Sequence, residues 1–315
     1  MAKKAQSETK DIAHFQKTAF GRHETFALRY GWLTKGYQAA QKDPKIFQSD
    51  EATVTLGVGV NMVNSIRYWL SACQVIDPET QKPTVLGKFI FDAHSGRDPY
   101  LEDEATLWLL HWHLATNTEL ATAWYWFFNK FHKTEFTAQE LATALADWVK
   151  ANIRTKVSPA TVKTDANLVL RMYTLSKGNT RTPIEEALDS PLSLLRLVSQ
   201  TAGGRSFQCK PSSRPGLPIG ILGYAVTALM DKRQVTSVPI EDLMYSSDDF
   251  PAIGSVFCLT ESDLVTKLEK MIQYIPGKYA IRETAGIHQL YRLNTVEAFD
   301  YLEKHYANQK EEVAA

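Results

Sequence analysis

A histidine and a carboxylate flanked by arginines are the parts of a phosphodiester site. One such group stands near the start of this chain, as Arg22-His23-Glu24 with Arg29 further on. In that arrangement His23 could act as a base and the arginines could hold a phosphate. The same residues have an architectural use, in which Glu24 and Arg29 pair to fix the N-terminal segment. Asp98 and Glu102 are four apart and could share a metal ion, but Asp98-Pro99 reads better as a helix start, with Asp98 as cap and Pro99 at the first helical position. His111 and His113 leave a helix on different sides, so they cannot form an HExxH-type pair and are expected to be partly buried contacts among aromatic rings. Neither a Ser-His-Asp set nor a Walker motif, dinucleotide fingerprint or zinc knuckle is found. The metal ligands, if a metal is used, are left open.

The second group with chemical potential lies in Glu51 to Ile76, EATVTLGVGVNMVNSIRYWLSACQVI. A short apolar segment (Val54, Leu56) runs into Gly57-Val58-Gly59, and Val63, Ile66, Leu70 and Cys73 then recur at helical spacing, which is the layout of a helix-turn-helix unit. The opposite face carries Asn61, Asn64, Arg67, Tyr68 and Ser71, side chains of the kinds that meet phosphates and base edges in a major groove. The plainer alternative is a packing unit whose polar face is merely solvated. Gly57-Val58-Gly59 lacks the spacing and the Lys-Ser/Thr ending of a phosphate-binding loop.

These groups need elements to position them. A chain of 315 residues exceeds the size at which one core usually keeps growing, so two or three domains are expected. Lys plus Arg and Asp plus Glu both total 35, which restricts any nucleic-acid site to a local basic surface on a neutral body. Cys73, Cys209 and Cys258 match no zinc or disulfide framework and fit a reducing compartment. The polar N-terminus and the absence of a long apolar run give a cytoplasmic expectation, with no membrane association.

In chain order, helices are expected at Phe26 to Ala40, from Leu101 toward Ala115, and at Thr118 to Phe131. The aromatic residues of the last are expected to be core. TVLGKFIF fits a wing or a short packing helix equally well. A second helix-turn-helix is expected over Phe136 to Leu175, capped by Thr137 and broken at Val157-Ser158-Pro159. Between Asp147 and Arg181 the basic residues Lys150, Arg154, Lys156, Lys163, Arg171, Lys177 and Arg181 are opposed only by Asp147 and Asp165. That stretch is either a nucleic-acid surface or a solvated face. Further on, SPLSLLRLV suggests a helix, and the stretch ending GILGYAVTALMDKR a β-rich apolar segment. Ile240 to Leu243 should begin a short helix, Thr260 with Asp263 should cap another, YAIRETAGIHQLYRL should be a hairpin, and Thr295 to Tyr306 a last helix. The fold class is therefore mainly α and multidomain, with winged-helix or helix-turn-helix-like units and short β-hairpins. The divisions are 15–96, a helix-turn-helix or winged-helix-like domain, 97–182, a helical domain with the second such unit, and 183–306, an α+β winged-helix-like domain.

At FGRHETFALRYGWLTKGY, LGVGVNMVNSIRYWL, DPYLEDEATLWLLHWHLAT and ATAWYWFFNKF the chain resembles the family typified by SspB, a component of bacterial DNA phosphorothioation defence systems encoded with a cysteine desulfurase and a sulfurtransferase-like ATPase. The motifs span roughly the first 130 residues, and the likeness of the remainder is looser. The resemblance implies a DNA nicking endonuclease that opens one strand for its sulfur-inserting partners, using a divalent metal, magnesium or manganese. It places DNA contact at Asn61, Asn64 and Arg67 and activity at His23 and Glu24. Arg22, Arg29, Lys163 and Arg171 complete the candidate DNA-binding set. The implied partners are double-stranded DNA, the desulfurase and the ATPase, and a homodimer is compatible with this. The competing reading is a non-catalytic DNA-binding or assembly module, motivated by the lack of a recognisable carboxylate cluster and by aromatic helices that could serve as interfaces. A sulfur-carrier or redox role would need a reactive cysteine, and Cys73 falls on the apolar side of its helix.

Overall fold

EATLWLLHWHLA has no polar side, and a helix apolar all round belongs in a core. In the structure, a computed structural model describing residues 17–175, 190–246, 250–284 and 286–314, this segment is a helix buried from Ala105 to Ala115. It is one of the elements around which the molecule is assembled.

The first four helices are α1 (Trp32–Lys42), α2 (Ala52–Leu56), α3 (Val60–Ala72) and α4 (Val85–Phe91). Helix α1 begins later than Phe26 because Gly31 is left-handed (φ 75°) and cannot continue a helix backwards. Gly57 (φ 65°) ends α2 and makes the turn into α3, so the expected helix-turn-helix connection is present. Gly36 lets α1 lie directly on α3, since a Cβ there would stand 2.5 Å from Leu70 and 2.6 Å from Ile66. Val63, Ile66, Leu70 and Cys73 all face inward. TVLGKFIF resolves as a helix whose Thr84 hydroxyl accepts from the Gly87 amide at 2.9 Å.

Next come α5 (Glu104–Ala115) and α6 (Thr122–Asn129), both buried throughout except at the first residue of α5. Asp98 is not the cap of α5; that is Asp103, which accepts from Ala105 N. Asp98 is instead a buried acceptor for Glu102 N (2.8 Å), Asp103 N (3.1 Å) and the Thr106 hydroxyl (2.6 Å). A positive φ at Leu101 postpones the helix beyond the Asp-Pro pair. Strand β1 (Glu135–Phe136) precedes α7 (Ala138–Asn152), which carries a full Thr137/Glu140 capping box, and α8 (Pro159–Tyr173), capped by Ser158. These two helices pack on each other.

Beyond a 3₁₀ turn at Pro191–Leu195, where a longer helix was expected, β2 (Ser199–Gln200) and β3 (Phe207–Gln208) join β1 in an antiparallel sheet of order β1-β3-β2. The stretch expected to be β-rich is helix α9 (Ile219–Arg233). It has few polar positions because it is buried on nearly every side, and strand-like composition overrode period as a signal. The remaining elements are β4 (Ser237–Pro239), α10 (Ile240–Met244), α11 (Ile253–Val256), α12 (Glu261–Tyr274), β5 (Tyr279–Thr284), β6 (Ile287–Arg292) and α13 (Ala298–Ala314). Strands β5 and β6 form the expected hairpin within a second antiparallel sheet, β4-β6-β5. The fold is mainly helical with two small antiparallel sheets.

Two histidines of α5 tie distant parts of the core together. His111 bonds the Tyr173 hydroxyl (2.7 Å) through Nδ1 and the Val256 carbonyl (2.8 Å) through Nε2, and His113 Nε2 meets the Tyr224 hydroxyl at 3.0 Å. Both are wholly buried, and burial pushes each imidazole down to about 3.

Candidate nucleic-acid interface

The N-terminal segment is pinned to the helical body by one carboxylate. Asp165, on α8, accepts the Gly21 amide on both oxygens (3.0 and 3.1 Å) and meets His23 Nε2 at 2.9 Å. Gly21 is required there, because its φ is +69° and a Cβ would stand 2.7 Å from Thr161 Cγ2. His23 Nδ1 accepts the Thr25 amide at 3.1 Å, so Nε2 is the nitrogen that carries the proton and donates to Asp165. His23 is 1% exposed. Its ring stacks on Trp69 and meets Tyr68 and Trp124 edge-on. Both ring nitrogens are thus occupied, and the side chain points away from solvent.

The clamp aims the residues around His23 outward. Glu24 and Thr25 adopt positive φ (48° and 65°), a tight reversal that leaves Arg22 and Glu24 exposed on either side of the buried imidazole. Both contribute to an open cleft of about 1070 Å³. Its floor is the polar face of α3, with Asn64, Arg67, Tyr68 and Ser71. One wall is the turn Gln74–Thr84, the other is Thr116–Leu120, and Thr155 and Lys232 close the rim. Tyr68 and Ser71, expected among the reading residues, are buried and committed internally: the Tyr68 hydroxyl donates to Leu120 O (2.8 Å) and that of Ser71 to Arg67 O (3.1 Å). By contrast Arg22, Glu24, Asn64 and Arg67 make no side-chain hydrogen bond or ion pair with any described residue. Asp50 and Glu51, the carboxylates at the start of the same unit, form no ion pair with Arg67.

The cleft is electrically mixed. Lys17, Arg22, Arg67 and Lys232 are set against Glu24, Asp77, Glu79 and Glu119. Asp77 is spent on its own turn, accepting from Thr80 N (2.7 Å), the Thr80 hydroxyl (2.7 Å) and Glu79 N (3.2 Å); these bonds hold its carboxyl below the ordinary range. Gln81 lies 6% exposed in the same wall, in a left-handed conformation (φ 58°), with its Oε1 unpartnered.

The other candidates lie elsewhere. Asn61 and Lys163 are exposed but do not line the cleft. Arg29 stacks its guanidinium on Phe26 and Trp32, at 5.6 and 5.2 Å from the ring centroids, and is not paired with Glu24. Arg171 is exposed on α8 and also stands outside the cleft. Lys177 and Arg181 lie outside the described residues. Sequence reasoning missed Asp165 as the clamp, counting it only as a charge against the basic stretch. Its signal was an acid inside the apolar run Val162, Ala166, Val169 and Tyr173, where a buried helix face has no other use for one.

The profile of a family described as "Protein of unknown function (DUF4007)" matches residues 20–306. The chain belongs to the DUF4007 family. Among solved structures, the SspB crystal structure is 30% identical, covering 94% of this chain and 90% of that one with a TM-score of 0.79. The magnesium ion-bound SspB crystal structure is 29% identical, covers 94% and 89%, and has a TM-score of 0.78. The likeness to SspB extends over nearly the whole chain, including the part where the motifs were looser. No curated protein sequence matches significantly.

Among the described residues no group of three or more His, Cys, Asp or Glu side chains could hold a metal ion. Asp77 is committed to its turn and His23 to Thr25 and Asp165. The described residues therefore do not form a ready-made cation cage. No described helix is long and apolar enough to cross a membrane.

Proposed function

We propose that this chain is a DNA-binding component of a DNA phosphorothioation defence system, which seats duplex DNA against the cleft and recruits the sulfur-transfer machinery to it. The observation that carries the reading is the convergence of Arg22, Asn64 and Arg67 in one open cleft, with no internal partner among the described residues. A guanidinium without a carboxylate beside it is available to a phosphate or a guanine edge, and the amide to an adenine. All three candidate divisions contribute: 15–96 the floor, 97–182 the Thr116–Leu120 wall and Thr155, and 183–306 Lys232. Four cations balanced by four carboxylates favour contact with a limited number of phosphates over a continuous basic track. Asn61, Lys163, Arg171 and Arg29 would extend the contact beyond the cleft. The partners proposed are a cysteine desulfurase and a sulfurtransferase-like ATPase in the cytoplasm, with homodimerisation open. Fluorescence anisotropy with labelled duplexes, for the wild type and an Arg22→Ala/Arg67→Ala double variant, tests the binding claim. Equal affinity of the two folded proteins would refute it.

A second reading, metal-dependent strand nicking, rests on the likeness to SspB and on the magnesium ion-bound form of that protein. In it Glu24, exposed and unpaired on the cleft, is the residue able to orient water, and His23 is a positioning residue that fixes the Arg22–Glu24 reversal through Asp165. Plasmid relaxation by purified protein with magnesium, with manganese and with chelator is the direct test. Nicked circles that co-elute with the protein, require the ion and vanish in Glu24→Gln would establish it. Their absence would leave the binding role alone, as would activity that separates from the protein peak while the sulfur-transfer proteins co-purify.

A further inference from the structure

Cys209 and Cys258 are 49 residues apart in sequence, yet their Sγ atoms stand 3.4 Å apart. Cys209 follows β3, and its amide donates to Thr134 O at 3.0 Å, which holds it at the end of the sheet's central strand. Cys258 closes the turn after α11 in a left-handed conformation (φ 50°). Its carbonyl accepts Ser212 N (2.9 Å) and Arg214 Nε (3.3 Å), while the Arg214 guanidinium also donates to Lys210 O and Arg196 O. The thiols therefore face each other from two segments already tied together by hydrogen bonds. Neither lines the cleft. Cys73 is different: it is fully buried and alone, and burial pushes its thiol up to about 12.

A disulfide places the sulfurs about 2.05 Å apart, so an approach of roughly 1.4 Å from the observed 3.4 Å closes the bond. The pair is asymmetric. The hydrogen bond from Cys209, aided by Arg214 alongside, holds the Cys258 thiol below its ordinary value, while the same bond and burial push Cys209 up. Cys258 is thus the easier of the two thiols to ionise, and Cys209, 3.4 Å away, is placed to resolve it. Cys258 is 7% exposed, which excludes a peptide-sized oxidant.

We propose that Cys209 and Cys258 form a redox-responsive pair that hydrogen peroxide closes to an intramolecular disulfide, stapling the segment after β3 to the end of α11. The Cys258 thiolate attacks one peroxide oxygen and the O–O bond breaks, giving a sulfenic acid and hydroxide, which takes up the thiol proton to become water. The Cys209 sulfur then attacks Cys258 Sγ. The S–O bond breaks, the hydroxyl leaves with the Cys209 proton as a second water, and the S–S bond forms. Two thiols lose two electrons and one peroxide is reduced to two waters.

The test uses the full chain, reduced, exposed to hydrogen peroxide, then alkylated under denaturing conditions and mapped by mass spectrometry. A Cys209–Cys258 cross-linked peptide is expected, with Cys73 alkylated, and dithiothreitol should abolish the cross-link. The oxidised protein should melt on the order of 5 °C above the reduced one, because the staple closes a long loop in the unfolded chain. In Cys209→Ser the shift should vanish and Cys258 should progress to sulfinic acid for want of a resolving thiol. Alkylation of both cysteines after peroxide, sulfinic acid on Cys258 in the wild type, or cross-links only between chains would each overturn the proposal. The wild-type peptide map decides the matter even if the serine variant does not fold.

Discussion

Arg67→Ala separates a ligand-facing arginine from a structural one. The guanidinium rises from the floor of the cleft and pairs with no described residue, so folding loses only the partly buried methylene stem. That cost should stay within about 0.5 kcal/mol, a change in melting temperature of about 2 °C or less. Binding should respond on another scale. A charge-assisted contact to a phosphate or a guanine edge is worth about 1–3 kcal/mol, so affinity should fall roughly 5- to 150-fold. The salt dependence tells the two contacts apart. Loss of one phosphate contact weakens all duplexes alike and makes the slope of log K against log salt shallower by about 0.9, whereas loss of a guanine contact relaxes discrimination at one position. Fluorescence anisotropy on several duplexes at two salt concentrations, beside a thermal melt of the same variant, reads all of these. A folded Arg67→Ala protein with wild-type affinity and slope would remove the floor of α3 from the DNA interface and move attention to Lys163 and Arg171. A large fall in melting temperature would show instead that the arginine has a structural partner.

Asp165→Ala should cost about 3 kcal/mol in chemical denaturation, because it strands the half-buried Gly21 amide and the buried His23 Nε2 together. If the clamp serves only to aim Arg22 and Glu24, adding Arg22→Ala in that background should cause little further loss of DNA affinity, whereas full additivity would show the clamp irrelevant to the cleft. Stability should fall with acid below pH 6.5: His111 and His113 titrate near 6.5 when unfolded but are pushed down to about 3 when folded. The unfolded chain therefore binds the extra protons between those values. Their stabilising contribution is complete above pH 6.5 and declines by roughly 1.4 kcal/mol per pH unit for each histidine as pH drops toward 3. Urea titrations at pH 7.5, 6 and 5 should show this slope, and it should flatten in His113→Phe; an unchanged slope in that variant would mean the histidine is not held neutral by the fold. Gly36→Ala should lower stability by about 1–3 kcal/mol, since its methyl would collide with Leu70 and Ile66. Retained stability and unchanged DNA binding would show that α1 and α3 can separate without disturbing the cleft floor.

The sequence by itself determined the features that depend on one turn of chain. The Thr137 cap of α7, the Val157-Ser158-Pro159 break before α8, the Gly57 turn, the Thr260/Asp263 cap and the β5–β6 hairpin were all legible. In each case the residues that form the signal lie within a few positions of one another. The same local reading put Arg67 on the outer face of α3, because three- and four-residue spacing fixes which side of a helix is buried. It failed where composition imitated another period, as in α9, and where a neighbouring bond competed for a residue, as when Asp98 turned to Thr106 and left the capping of α5 to Asp103. Only the tertiary structure decided the rest. His23 carried the right chemistry beside the right arginines, but its environment comes from Asp165, 142 positions away, and from Trp69 and Trp124, which turn a candidate base into a buried anchor. Tyr68 lies on the polar face of α3 by spacing and is nonetheless closed off by Leu120 O, and Cys209 meets Cys258 only because the segment after β3 returns to the end of α11. Spacing along a chain fixes direction from a helix axis or a strand. Which distant group waits in that direction depends on how the elements pack, and that is set by the sum of many apolar contacts that no short motif records.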